Sequence, residues 1–338
     1  MTSFNSVGDQ SRSYQLRLSQ YLLKSKLDAL TKEVATGIKN DIPLALNGDL
    51  SRISHIESRL TILATYQQNA SEAKTMFEGL QVALGRVQTS VNSLGPSVLS
   101  EASMSPDSIL RMRASQISED FRSIFISLNT NVAGRYIFSG SRTDTAPLGS
   151  FDDMVTELNM AVSGATTADD IVTQIENWFD APEGSGGFTD TIYRGNDSGN
   201  AQISISNERT VGTKLTANSQ ELRNTMKGMA ILTYVAEFGA GLDSATVREL
   251  FTASGEKLIS ADTDLTIARS MIGLQETATA QTQTQNAAEG TSLSIARSTL
   301  ISADPYETAT ALQETEASIQ NLYKLTARLS RLKLTDYL

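Results

Sequence analysis

The 338-residue chain contains no cysteine. That excludes disulfide staples, thiolate metal sites and cysteine nucleophiles together. It has one histidine, His55, so no histidine pair can hold a metal or relay protons. Six prolines and 6% aromatic residues favour helix over a β-sandwich. No apolar run approaches the roughly 20 residues of a membrane span. Met1 to Gln15 has neither an apolar core nor a small-residue cleavage site, so no cleaved secretory signal is expected. The net charge of −10 argues against general nucleic-acid binding, which calls for clustered basic charge. Among short motifs, Gly184-Ser185-Gly186-Gly187 lacks the Lys-Ser/Thr of a phosphate loop, and the acidic middle lacks the spacing of a calcium loop. No nucleophile–base pair stands out, and the chain reads as a non-enzyme that needs no metal or cofactor.

What the sequence does hold is helical periodicity. Asp304-Pro305-Tyr306-Glu307 reads as a helix start, with Asp304 as cap and Pro305 at the first helical position. A heptad seam follows through Leu312, Thr315, Ile319, Leu322, Thr326 and Leu329, and the chain closes on Asp336-Tyr337-Leu338. Near the other end, Leu16, Gln20, Leu23, Leu27, Leu30 and Val34 step by 4 and 3. Each seam needs a partner helix, and the two are expected to pair. Both ends are basic: residues 1–40 carry six Lys/Arg against three Asp/Glu, and residues 321–338 carry four against one. The candidate assembly residues are therefore Leu16, Leu23, Leu27, Leu30, Val34, Leu312, Ile319, Leu322, Leu329 and Tyr337.

Between the ends, residues 36–49 read as a hinge containing Gly37, Pro43 and Gly48. A long seam then runs through Ala70, Ala73, Phe77, Leu80, Leu84, Val87, Val91, Leu94 and Val98, with Gly95-Pro96 expected to end or kink the helix. Ser105-Pro106 opens another helix, striped by Leu110, Ala114, Ile117, Phe121, Ile124 and Leu128. Residues 141–200 hold eleven Asp/Glu and two Arg. They suggest two short helices, near 151–162 and 168–179, then β-leaning runs at 188–194, 201–206 and 210–216 with a hairpin at Asn207-Glu208. Helices return from Ser219, and Val247, Phe251, Ser254, Leu258, Ala261, Leu265, Ala268 and Ile272 mark a last long stripe. The expected fold is mainly α: an elongated coiled-coil bundle formed by the N- and C-terminal parts, with a small α/β insertion. Its expected divisions are a terminal layer (1–40 with 305–338), a long-helix bundle (41–140 with 215–304) and an acidic insertion (141–214).

Four local motifs carry a family resemblance in that order along the chain. They are Thr36-Gly37 after the first heptads, Gly134-Arg135-Tyr136-Ile137-Phe138-Ser139-Gly140, Tyr193-Arg194-Gly195-Asn196-Asp197, and the terminal Leu334-Thr335-Asp336-Tyr337-Leu338. Together they resemble the flagellin superfamily, and within it the hook-associated proteins of the hook–filament junction, over about residues 1–140 and 215–338. Asn40–Asp49 departs from the flagellin hinge motif. The resemblance implies a structural protein of the bacterial flagellum, outside the cell, exported by the flagellar type III apparatus without a cleaved signal. It implies hook-associated protein 1, flagellin, copies of the chain in a ring and an export chaperone as partners, with no nucleic acid and no membrane insertion. A flagellin-type filament subunit is the alternative within the family. A cytosolic helical signalling bundle is the alternative outside it.

Overall fold

The computed structural model describes residues 7–197 and 202–331, with side chains omitted at 7–10 and 329–331. The described residues are mainly α-helical. In chain order the elements are α1 (Val7–Thr36), α2 (Ile42–Ala45), α3 (Ser51–Met104), α4 (Asp107–Leu128), β1 (Asn131–Val132), β2 (Arg135–Tyr136), α5 (Phe151–Ala161), α6 (Ala168–Asp180), α7 (Phe188–Thr191), β3 (Ile203–Ser204), β4 (Thr210–Val211), α8 (Gln220–Phe238), α9 (Ser244–Ile301) and α10 (Pro305–Arg331). The chain divides into two compact units, 1–62 with 288–338 and 63–287. These bounds differ from those read off the sequence, and the acidic stretch 141–214 lies inside the second unit.

In the second unit the long seam is the core. Phe77, Leu80, Leu84, Val87 and Val98 of α3 are fully buried, with the predicted stripes of α4 and α9 and the buried row Leu222, Met226, Met229 and Leu232 of α8 beside them. Polar bonds lock α3 to α9 along one edge. Gln81 Nε2 donates to the Arg269 carbonyl at 2.9 Å, Arg269 Nη1 to Gln88 Oε1 at 2.7 Å, and Gln88 Nε2 to Thr266 Oγ1 at 2.7 Å.

Gly95-Pro96 does not end the helix: α3 runs through both residues to Met104. The glycine serves a close approach instead. A Cβ on Gly95 would sit 2.9 Å from Ile259 Cγ1, and one on Gly255 would sit 2.6 Å from Leu99 Cγ and 3.1 Å from the Gly95 carbonyl. Gly255→Val should therefore cost about 1–3 kcal/mol through overpacking, read as a lowered melting temperature. Gly273→Ala on the same helix is the control. Its new Cβ meets nothing nearer than 3.9 Å, so it should raise stability by up to about 1 kcal/mol.

The acidic stretch forms α5 and α6 as expected, capped by Ser150 and Thr167. Phe151 packs edge-on against Phe121 and Phe125 of α4, and Ile171, Ile175 and Phe179 are fully buried in the same core. The expected strand at 188–194 is instead α7, followed by Ile192 and the buried Tyr193. Gly187 precedes this helix, and Asp190 accepts backbone bonds from Gly184 and Gly186, which holds its carboxylate below the usual range. β3 and β4 pair antiparallel around the Asn207 turn, and β1 pairs with β2 across Ala133-Gly134.

Two of the resemblance motifs meet in space. The Gly140 residue pairs with Asn196, and a Cβ on Gly140 would lie 1.8 Å from the Asn196 carbonyl, so only glycine fits. Asn196 N–H donates to the Ser139 carbonyl at 3.0 Å, and Arg194 N–H to the Pro147 carbonyl at 2.8 Å. Asp197 then accepts from Thr216 Oγ1 at 2.9 Å and from Asn218 Nδ2. The Tyr193-to-Asp197 run thus ties the return of the excursion to its departure and to the approach of α8.

Tyr193 lies beside this cluster, 8% exposed, yet no well-formed hydrogen bond reaches its hydroxyl. Burial is the main cause that pushes its phenol above the ordinary tyrosine range. The sign follows from linkage. Near pH 10 and above, the unfolded chain ionises this phenol while the folded chain keeps it neutral, so unfolding releases a proton and stability falls as pH rises. Burial shifts Tyr234 in the same direction. Tyr193→Phe should be nearly neutral at pH 7 and should reduce the loss of stability between pH 9 and roughly 11. Urea midpoints across that range measure it, and parallel curves for the two proteins would contradict it.

Candidate assembly interface

In the first unit, α1 packs against α10. Asp304 caps α10 as its sequence suggests: Oδ1 accepts from the Tyr306 and Glu307 N–H groups, each at 2.9 Å. The connectors before α2 and after α9 are stitched together by Lys39 N–H to the Ile301 carbonyl and Ala303 N–H to the Gly37 carbonyl, both 2.9 Å. Arg59 and Glu289 form a two-pronged ion pair between α3 and α9, at 2.6 and 3.0 Å, which lowers the Glu289 carboxyl.

The seam residues fall as follows. Leu16, Leu23, Leu27 and Leu30 are half-buried on α1, and Gln20 Nε2 reaches the Tyr323 hydroxyl of α10 at 3.4 Å. Leu312 and Leu322 are half-buried on α10, while Ile319 is buried. Thr308 and Thr315 share that seam and are buried with their hydroxyls bonded to carbonyls of their own helix, at 2.7 Å each. Val34 stays 50% exposed. Leu329 lies in α10, but its side chain is outside the described residues, as is all of Tyr337.

With the seams turned toward each other, α1 keeps a second apolar row. Tyr14, Leu18, Tyr21 and Leu22 are 46–70% exposed. Positions 14, 18 and 21 repeat as i, i+4 and i+7, and at about 100° per residue they lie across the helix from the Leu16–Leu30 seam. On the same projection Arg17 and Lys24 border the row on its Tyr21 side. Among the described residues, Arg12, Arg17, Lys24, Lys26 and Lys32 of α1 make no ion pair, whereas Arg59 and Arg297 of the same unit do. This row was missed in the sequence because its spacing was hidden beneath the stronger leucine heptad. It presents another chain with an apolar strip bordered by cations along one edge.

No family model matches the sequence, and no curated protein matches it. Several solved structures resemble this chain, and one of them identifies the kind of fold. It is a Vibrio parahaemolyticus protein described as a "putative flagellar hook-associated protein", 17% identical, with a TM-score of 0.50 over 72% of this chain and 93% of that one. At that identity the likeness speaks for the fold.

Elsewhere the described residues offer other features. The second unit has a largely apolar groove of about 530 Å³ between α3 and the β1–β2 hairpin, lined by Met76, Val132, Tyr136, Ile137 and Ile203 with Glu72 and Arg135. No group of three or more His, Asp or Glu side chains is gathered as a metal site among the described residues. None of the described helices is long and apolar enough to cross a membrane. His55 sits exposed on α3.

Proposed function

We propose that this chain is a structural protein of the bacterial flagellum, specifically hook-associated protein 3, which joins the hook, through hook-associated protein 1, to the flagellin filament. The observation that carries the reading is the fold shared with the Vibrio protein across 93% of that chain. The motifs at Gly134–Gly140 and Tyr193–Asp197 support it, since they form one clasp rather than two unrelated coincidences. In this reading copies of the chain form a ring. The α1–α10 pair supplies the inner layer, and the outward row Tyr14, Leu18, Tyr21 and Leu22 faces neighbouring subunits. The chain acts outside the cell after type III export, with a chaperone before export, and has no catalytic role.

The test is a labelled chain on intact flagella, viewed by electron microscopy. A single band where hook meets filament is the expected result. Label along the filament would instead make the chain a flagellin-type subunit, and label confined to the cytosol would remove it from the flagellum.

A further inference from the structure

We propose that Asn47-Gly48 is a self-modifying site that the fold holds in check. It is the sole Asn-Gly pair in the sequence, and Asn47 is exposed just after α2. Asn-Gly invites succinimide formation because glycine has no side chain to hinder its nitrogen. In that reaction the Gly48 nitrogen attacks the Asn47 side-chain carbonyl carbon. An N–C bond forms, the bond to the amide nitrogen breaks, and ammonia leaves carrying the Gly48 proton. Water then opens the five-membered ring at either carbonyl, giving aspartate or isoaspartate. Water enters, ammonia leaves, and nothing is oxidised or reduced.

The folded turn opposes the first step in two ways. The Gly48 N–H that must be given up is held by the Pro43 carbonyl at 2.8 Å, six residues closing on one as at many helix ends. Asn47 (φ 53°) and Gly48 (φ 81°) are both fixed in the left-handed region, and the Asn47 N–H is tied to the Leu44 carbonyl at 3.2 Å. The nitrogen becomes free to close on the side chain only when this turn opens. The turn depends on α2, whose first bond is the Leu44 N–H to Asp41 Oδ1, at 3.0 Å. Modification would also prevent the turn from re-forming. Isoaspartate adds a backbone carbon between residues 47 and 48, which breaks the spacing that the Gly48-to-Pro43 bond needs.

The experiment incubates the full chain at pH 8 with and without denaturing urea and follows the tryptic peptide from Asn40 to Arg52 by mass spectrometry. Deamidation adds one mass unit, and isoaspartate separates chromatographically from aspartate. The native chain is expected to react at least about tenfold more slowly, the factor that an opening cost of about 1.4 kcal/mol gives. Asp41→Ala, which loosens α2, should speed the reaction severalfold in buffer and leave the urea rate unchanged. Equal rates in buffer and urea would overturn the proposal. So would a slow native rate that Asp41→Ala does not change, because the guard would then lie elsewhere than the turn.

Discussion

Leu84→Asp is expected to unfold the second unit at a temperature lower by about 10 °C or more. Leu84 is fully buried at the centre of α3, in one core with Leu80, Val87 and the α4, α8 and α9 stripes. The substitution removes apolar contacts worth about 2–5 kcal/mol and places a carboxyl among buried apolar side chains. A combined loss on the order of 4 kcal/mol or more follows, and in a unit of this size each kcal/mol lowers the melting temperature by about 2–4 °C. Val82→Asp, two residues earlier and 57% exposed, should change it little. Thermal unfolding followed by circular dichroism compares the two. Equal melting temperatures for Leu84→Asp and the unaltered chain would show that this seam is not core.

The second large effect concerns function rather than stability. The double substitution Leu18→Asp with Tyr21→Asp should leave the isolated protein's melting temperature within about 0.5 kcal/mol equivalent, since both side chains are exposed. Cells carrying it should lose swimming and release flagellin into the medium. Two carboxylates would replace an apolar strip and sit among Arg17 and Lys24, so any neighbour that covers the strip would have to desolvate them. Leu23→Asp is the informative companion. Leu23 lies half-buried in the seam with α10, so that change should weaken the helix pair itself and show in the protein alone. Motile cells carrying the double variant would remove the α1 row from the interface and leave the proposed junction role to be judged by where the label lies.

The two experiments separate effects that an assembled protein easily confuses. Leu84 tests what holds one chain together, and Leu18 with Tyr21 tests what holds chains to each other. Gly255→Val belongs with the first group: it acts where two helix backbones nearly touch, not on any outward surface.

The helices and their buried faces were legible in the amino-acid pattern alone. The stripes of α3, α4, α8 and α9 repeat every three or four residues, and a helix exposes that repeat whatever it packs against. The Asp304 cap was equally legible, because capping involves neighbours within one turn. Tertiary structure decided the rest. Gly95-Pro96 carries the local marks of a break, yet α3 continues through it, and the missing side chain serves a close approach to α9 at Gly255, a partner 160 positions away. The acidic charge of residues 141–200 marked this stretch as water-facing, but charge describes only the outer faces of α5 and α6. Their inner faces, with Phe151 and Phe179, needed the surface of α4 and α8 to cover them. The short strands could not be bounded from sequence, since a two-residue ladder exists only where its partner lies. In α1, which of two apolar rows would face outward depended on where α10 docked, and a single helix holds no information about that.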